Sequence, residues 1–233
     1  MNKIKIKHNP RKRKQIVWAV LVLAWVCLAG YVGFYLIQKA TQKPGITTTV
    51  VNGVETTIDE TPITEQAKNE HTVPADNPRY ISIPDLGIQN ARVVGIGLVK
   101  NTSQLDAPIS IHDAGWYTAS VKPGAGTGAL LMDGHNGGPN YGGIFEKLGN
   151  LKAGAKIIIE RGDGQKITYE VRDNRQMTVD EINNADNKWG MSTMLNSIEA
   201  GKEGLNIITC VGQWLQDSQT FNSRVMLRAV RTE

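Results

Sequence analysis

The sequence predicts an all-β domain, a closed or nearly closed barrel with short helices, preceded by one transmembrane helix. Three observations carry this. Seven short apolar runs between residues 79 and 230 are separated by Gly-, Pro- and Asn-rich turns, the pattern of many short strands. Helical signals after residue 78 are few and brief. Near the N-terminus, residues 16–37 read IVWAVLVLAWVCLAGYVGFYLI, 22 residues without a charge.

That run comes first. At about 1.5 Å per residue it covers a hydrocarbon core of roughly 30 Å. Lys3, Lys5, Lys7, Arg11, Lys12, Arg13 and Lys14 precede it with no acidic residue among them. The positive-inside rule therefore predicts a cytoplasmic tail over 1–15, a single-pass anchor over 16–38, and everything later outside the cell. A cleaved signal peptide is the alternative. Its apolar region would be only about 7–15 residues with a small-residue cleavage site; this run is longer, and no A-x-A follows it. The seven tail cations exceed the whole basic surplus. Without them 19 Lys and Arg face 22 Asp and Glu, so the charge speaks for a membrane surface and against nucleic acid.

Residues 39–77 are poor in large apolar side chains and rich in Thr, Pro, Asn and Glu, which predicts an extended stalk. Val50, Val51 and Val54 are compatible with a short strand, but linker is the plainer expectation. Residues 78–233 suffice for one domain with its own core. Within it, 79–83 alternates and stops at Pro84. Residues 91–98 are apolar with glycines. Residues 129–132 form a continuous buried run. Residues 156–160 and 166–171 flank the turn Arg161-Gly162-Asp163-Gly164 and predict a hairpin. Residues 205–209 and 224–230 close the series. Helix is expected over 143–148 and 189–200, with a weaker turn at 179–182.

Four residues in this frame suggest chemistry. Cys210 ends the run Leu205-Asn206-Ile207-Ile208-Thr209. Cys27 lies in the predicted anchor, in a different compartment, so Cys210 is an unpaired extracytoplasmic thiol. His135 follows a buried strand inside Gly134-His135-Asn136-Gly137-Gly138, where glycines allow a sharp turn at a barrel rim. A lone Cys with a His elsewhere is the pattern of a thiol nucleophile and its acid/base partner. Arg224 opens the strand after Cys210, and consecutive strands are usually neighbours. Thr209 is a candidate for substrate binding or for holding the thiol. Asp133 and Asp113 are candidate orienters of an imidazole, and His112 is the competing imidazole. One Cys and two scattered His lack zinc spacing, so no metal and no cofactor are expected. An inert buried Cys210 in a non-catalytic binding module stays open at this point.

These motifs resemble the sortases, membrane-anchored cysteine transpeptidases of Gram-positive cell walls. Ile207-Ile208-Thr209-Cys210 resembles the family's strand ending in Thr-Cys. Ser223-Arg224-Val225-Met226-Leu227 resembles its arginine strand, and Leu131-Met132-Asp133-Gly134-His135 its approach to Gly-His. Ile83-Pro84-Asp85-Leu86-Gly87-Ile88 is similar to the opening I-P-x-L-x-I strand. Gly115-Trp116-Tyr117 with Lys122-Pro123-Gly124 resembles class E and F members. Ala155 departs from the usual Asp of the L-x-x-G-D turn, and 211–222 fits no single class. The resemblance implies an eight-stranded β-barrel with Cys210 as nucleophile, His135 as proton donor and acceptor, and Arg224 as oxyanion stabiliser. It implies cleavage of an LPxTG-like sorting signal on surface proteins and transfer to an amine, either a peptidoglycan precursor or a pilin lysine. A thiol hydrolase using water would share the same site.

Overall fold

A computed structural model describes residues 10–41, 45–51 and 54–232, without the side chains of 10–17, 19, 36–41, 49, 51 and 54. Contacts divide the chain into two units, Met1–Lys43 and Pro44–Glu233. The first holds α1 (Pro10–Thr41), which spans the expected anchor. Trp18, Leu23, Trp25, Val26, Tyr31 and Phe34 are all exposed on it. Among the described residues no helix is long and apolar enough to cross a membrane. Residues 1–9 of the expected basic tail lie outside the described residues.

The second unit begins with a hairpin, β1 (Ile46–Val51) and β2 (Val54–Asp59), and a short helix, α2 (Glu65–Asn69), capped by the Thr64 hydroxyl. Then come β3 (Pro78–Ile83), β4 (Ile88–Ile96), β5 (Ala114–Tyr117), β6 (Gly128–Asp133), β7 (Lys156–Arg161), β8 (Lys166–Thr178), α3 (Val179–Asn183), β9 (Glu203–Leu215) and β10 (Thr220–Arg231). The last eight strands close into a barrel in the order β10-β8-β7-β3-β4-β5-β6-β9. β4 with β5 and β6 with β9 run parallel; the other pairs are antiparallel. The expected all-β, eight-stranded fold is what the chain adopts.

Alternation sorts the strand side chains into two clusters. Leu130 and Met132 of β6, Leu205 and Ile207 of β9, and Val225, Leu227 and Ala229 of β10 point into the barrel core. Their neighbours Leu131, Ile208 and Met226 point outward and pack with Met177, Ile182 and Met194. This second cluster is the floor on which the site stands.

Several local expectations fail for physical reasons. Residues 39–77 are not an extended stalk throughout: from Pro44 they belong to the barrel unit. Asp59 donates its N–H to Ile109 O at 2.8 Å, and Glu60 is 1 % exposed. Its carboxylate finds partners far along the chain, which composition cannot reveal. Helix over 189–200 reduces to a single 3-10 turn at Met191–Thr193, and 143–148 forms turns ending in 3-10 at Leu148–Asn150. β8 runs seven residues past 171, and its polar second half hid the strand. β9 and β10 likewise continue into an arm braced by an edge-on Trp214–Phe221 pair at 5.3 Å.

A buried carboxylate fixes the pole opposite the site. Glu203, 1 % exposed, accepts from Gly124 N (2.9 Å), Gly126 N (2.8 Å) and Tyr169 Oη. Gly124 and Gly126 have φ of +96° and +84°, conformations that favour glycine and turn both N–H groups toward one acceptor. Glu203→Ala leaves the buried Tyr169 hydroxyl without its acceptor, at about 1–3 kcal/mol, and releases the exposed N–H groups of Gly124 and Gly126 to water. We expect a loss of roughly 1–3 kcal/mol, read as a lower urea midpoint.

Candidate active site

Strand register places the predicted residues. In β6 and β9, which run parallel, Asp133 lies opposite Ile208. One step further, Thr209 Oγ1 donates to Gly134 O at 2.7 Å, which ties the turn into His135 to β9. Extended two residues beyond the pair of Asp133 with Ile208, the same register would bring His135 to the level of Cys210. On the other side, Cys210 is the direct partner of Arg224 in β10. Cys210 and Arg224 thus lie side by side on adjacent strands, and the turn that carries His135 leaves the end of the neighbouring β6. Alternation sets the direction. Cys210 shares the outer face with Ile208, Asp133 with Leu131, and Arg224 with Met226, so the thiol, the carboxyl and the guanidinium sit together above the methionine-rich floor.

Each group has a defined environment. Cys210 is half-buried and free of any disulfide. Burial pushes its thiol up to about 11; the Arg224 charge opposes this and the Asp133 charge adds to it. Burial lowers the basicity of His135, and a bond to Pro108 O partly offsets that. His135 Nε2 lies 2.7 Å from that carbonyl. A carbonyl only accepts, so Nε2 carries the hydrogen and Nδ1 keeps the basic lone pair. The resting pair at neutral pH is therefore thiol and neutral imidazole. Arg224 is held by its own hairpin: Nη1 donates to Phe221 O (2.8 Å) and Ser223 O (2.9 Å), and Nη2 to Thr220 Oγ1 (3.0 Å).

The structure redistributes the remaining candidates. Thr209 is 1 % exposed and its hydroxyl is committed to Gly134 O. Substrate binding does not fit it; fixing the turn into His135 does. Asp113 forms a bidentate pair with Arg92, at 2.9 and 2.7 Å, and orients no imidazole. The partner that orients His135 is a backbone carbonyl, which residue type could not signal. His112 faces Glu60 O at 3.3 Å and lines a cavity of about 240 Å³ with Leu86, Ile88, Ile144 and Glu146. Among the described residues no group of three His, Cys, Asp or Glu is placed to hold a metal.

Asp133 is the site's titrating neighbour. Burial raises its carboxyl to about 7; the Gly134 N–H and the Arg224 charge pull down, and Asp106 pushes up. The folded value lies above the ordinary 3.8, so the native state binds the proton more tightly. Its stabilising contribution is full below about pH 4 and lost as pH rises to 7. Asp133→Asn keeps an acceptor for the Gly134 N–H (2.8 Å in the native chain) and removes the titration. We expect it to stabilise the fold at pH 8 by about 2 kcal/mol, allowing for solvent screening, and by nothing at pH 4. Denaturant melts at the two values check this. The same change lowers the pH at which Cys210 alkylates.

A family model described as "Sortase domain" matches residues 81–232. Among solved structures, the chain is similar to a pilus-related sortase C of Group B Streptococcus (22 % identity, TM-score 0.48, covering 74 % of each chain). It is also similar to a lid mutant of sortase A from Corynebacterium diphtheriae (22 % identity, TM-score 0.48, covering 72 % of this chain and 76 % of that one). A third is sortase C of Streptococcus pneumoniae (19 % identity, TM-score 0.48, covering 84 % and 83 %). No curated protein matches the sequence.

Proposed function

The chain belongs to the sortase family, and from that membership we propose a membrane-anchored cysteine transpeptidase that cleaves an LPxTG-like sorting signal and passes the acyl group to an amine. The observation that carries this is the direct pairing of Cys210 with Arg224, beside which Thr209 ties the turn into His135 to the same strand. In the proposed cycle His135 Nδ1 takes the Cys210 proton as sulfur attacks the scissile carbonyl. The tetrahedral oxyanion is met by N–H groups of Arg224. His135 then returns the proton to the departing amine and a thioester remains. The incoming amine attacks the thioester, gives its proton to His135, and the sulfur leaves to recover that proton. Arg224 stays protonated throughout and moves none.

Anchoring belongs to the same proposal. The uncharged run at 16–37, its preceding cations and the exposed apolar side chains of α1 support a single-pass helix with residues 1–15 in the cytoplasm and the barrel outside. Tethering raises the effective concentration of substrates held at the same membrane. The acceptor is an amine on a cell-wall precursor or a pilin lysine.

The test is mass spectrometry of the protein after incubation with LPxTG-type peptides, with and without amines. An acyl adduct on Cys210 together with an amine-ligated product supports the transpeptidase. Cleavage without ligation to any amine favours the hydrolase. Neither adduct nor cleavage across the panel rejects both.

A further inference from the structure

We propose that Glu60 is a positioning residue for His135, so that the arm ahead of the family domain completes the active site. Two contacts made by adjacent residues carry this. Glu60 Oε1 accepts from Asn140 N (2.7 Å) and Tyr141 N (2.9 Å), and Oε2 from Asn140 Nδ2 (2.8 Å). That loop is the direct continuation of His135. It folds back through Gly138 N to Tyr141 O (2.8 Å), Gly143 N to Asn136 O (2.9 Å) and Phe145 N to His135 O (3.0 Å). Asp59 grips the opposite side. Its N–H donates to Ile109 O (2.8 Å) and its carbonyl accepts from Ile111 N (3.0 Å). These residues adjoin Pro108, whose carbonyl holds His135 Nε2. Asp59 and Glu60 therefore tie together the loop that carries the imidazole and the segment that orients it.

The fit is close. A Cβ on Gly138 would come within 2.5 Å of Glu60 Oε1, so glycine there leaves room for the carboxylate. Burial works against the charge on Glu60, but the bonds from Asn140 and Tyr141 hold its carboxyl below the ordinary range. It is an anion at neutral pH, and its bonds to the loop are charge-assisted. Both residues precede the matched span 81–232, so a truncation at residue 78 would delete the clamp and leave the catalytic residues in place.

The inference rests on His135 as the acid/base, and its test separates the two. In the full-length protein in detergent micelles, NMR follows the His135 imidazole of wild type, Glu60→Ala, Glu60→Gln and Gly138→Ala. Glu60→Ala is expected to broaden or split the signal and speed exchange of the Nε2 hydrogen. Gly138→Ala, which displaces the carboxylate without removing it, should do the same, and serves alone if Glu60→Ala does not fold. Glu60→Gln keeps an oxygen for both backbone N–H groups and should recover most of the wild-type signal. With a peptide substrate, kcat should fall about 10- to 100-fold in Glu60→Ala, the scale for a misplaced catalytic group, with KM nearly unchanged. A His135 signal unaltered in both disrupting variants overturns the inference, whether or not any peptide is turned over.

Discussion

Cys210→Ala is expected to form no acyl adduct with any sorting-signal peptide and to cleave none above background. Without sulfur at position 210 there is no thioester, and neither Asp133 nor Arg224, whose charges act on that thiol, can replace it as a thiol nucleophile. His135→Ala should lose about 10²–10⁴ in kcat/KM, the usual contribution of a positioned acid/base, while His112→Ala stays close to wild type. Register decides between the two imidazoles. His135 lies two residues past the last β6–β9 pair, Asp133 with Ile208, and Thr209 of β9 holds the turn that leads to it. His112 precedes β5, which pairs with β4 and β6 and not with β9. Loss of activity in His112→Ala with His135→Ala intact would sink the assignment.

The same pair sets a pH dependence. The thiol is pushed up to about 11 and the imidazole down, so the groups do not exchange their proton at rest. Neutral imidazole accepts the thiol proton during attack. Acylation should therefore rise through a value below 6.5 as His135 deprotonates, then hold toward alkaline pH. Alkylation of the free thiol should keep rising to about pH 11. A thiol that alkylates fully near pH 7 would mean a stable ion pair and a different resting state.

The sequence revealed some parts of this and concealed others according to how local each is. The barrel class was legible because strands such as 129–132 and 156–160 announce themselves by continuous burial between turn residues. Cys210 beside Arg224 was legible because the segment between them, Val211 to Ser223, reads as a short connection between consecutive strands. The level of His135 was not. It depends on parallel pairing of β6 with β9, some 75 residues apart, and no local pattern encodes that register. Pro108 was invisible because its contribution is a carbonyl that any residue has. Glu60 is hidden within the segment 39–77, because a carboxylate whose partners lie 80 residues downstream looks like any solvated acid. The second half of β8 and the arm beyond Cys210 are polar or mixed, so strand pairing there rests on backbone hydrogen bonds that composition does not register.

Arg224→Ala is the second large effect, expected at about 10²–10³ in kcat, the scale for one lost oxyanion donor. The guanidinium is held in place before substrate arrives. Three of its five N–H groups are engaged with Phe221 O, Ser223 O and Thr220 Oγ1. The proposed mechanism gives the remaining two to the oxyanion. Removing it has a second consequence, because its charge is the one that lowers the Cys210 thiol. Alkylation at pH 9 should slow in Arg224→Ala. Arg224→Lys separates the two effects: an ammonium returns the charge but not the planar fork. It should restore most of the alkylation rate and little of the turnover. If Lys restores both, Arg224 acts as a charge alone and supplies no directed hydrogen bond. If Ala costs less than about tenfold, its bonds to the hairpin are its whole role, and Thr220→Val should then reproduce the loss.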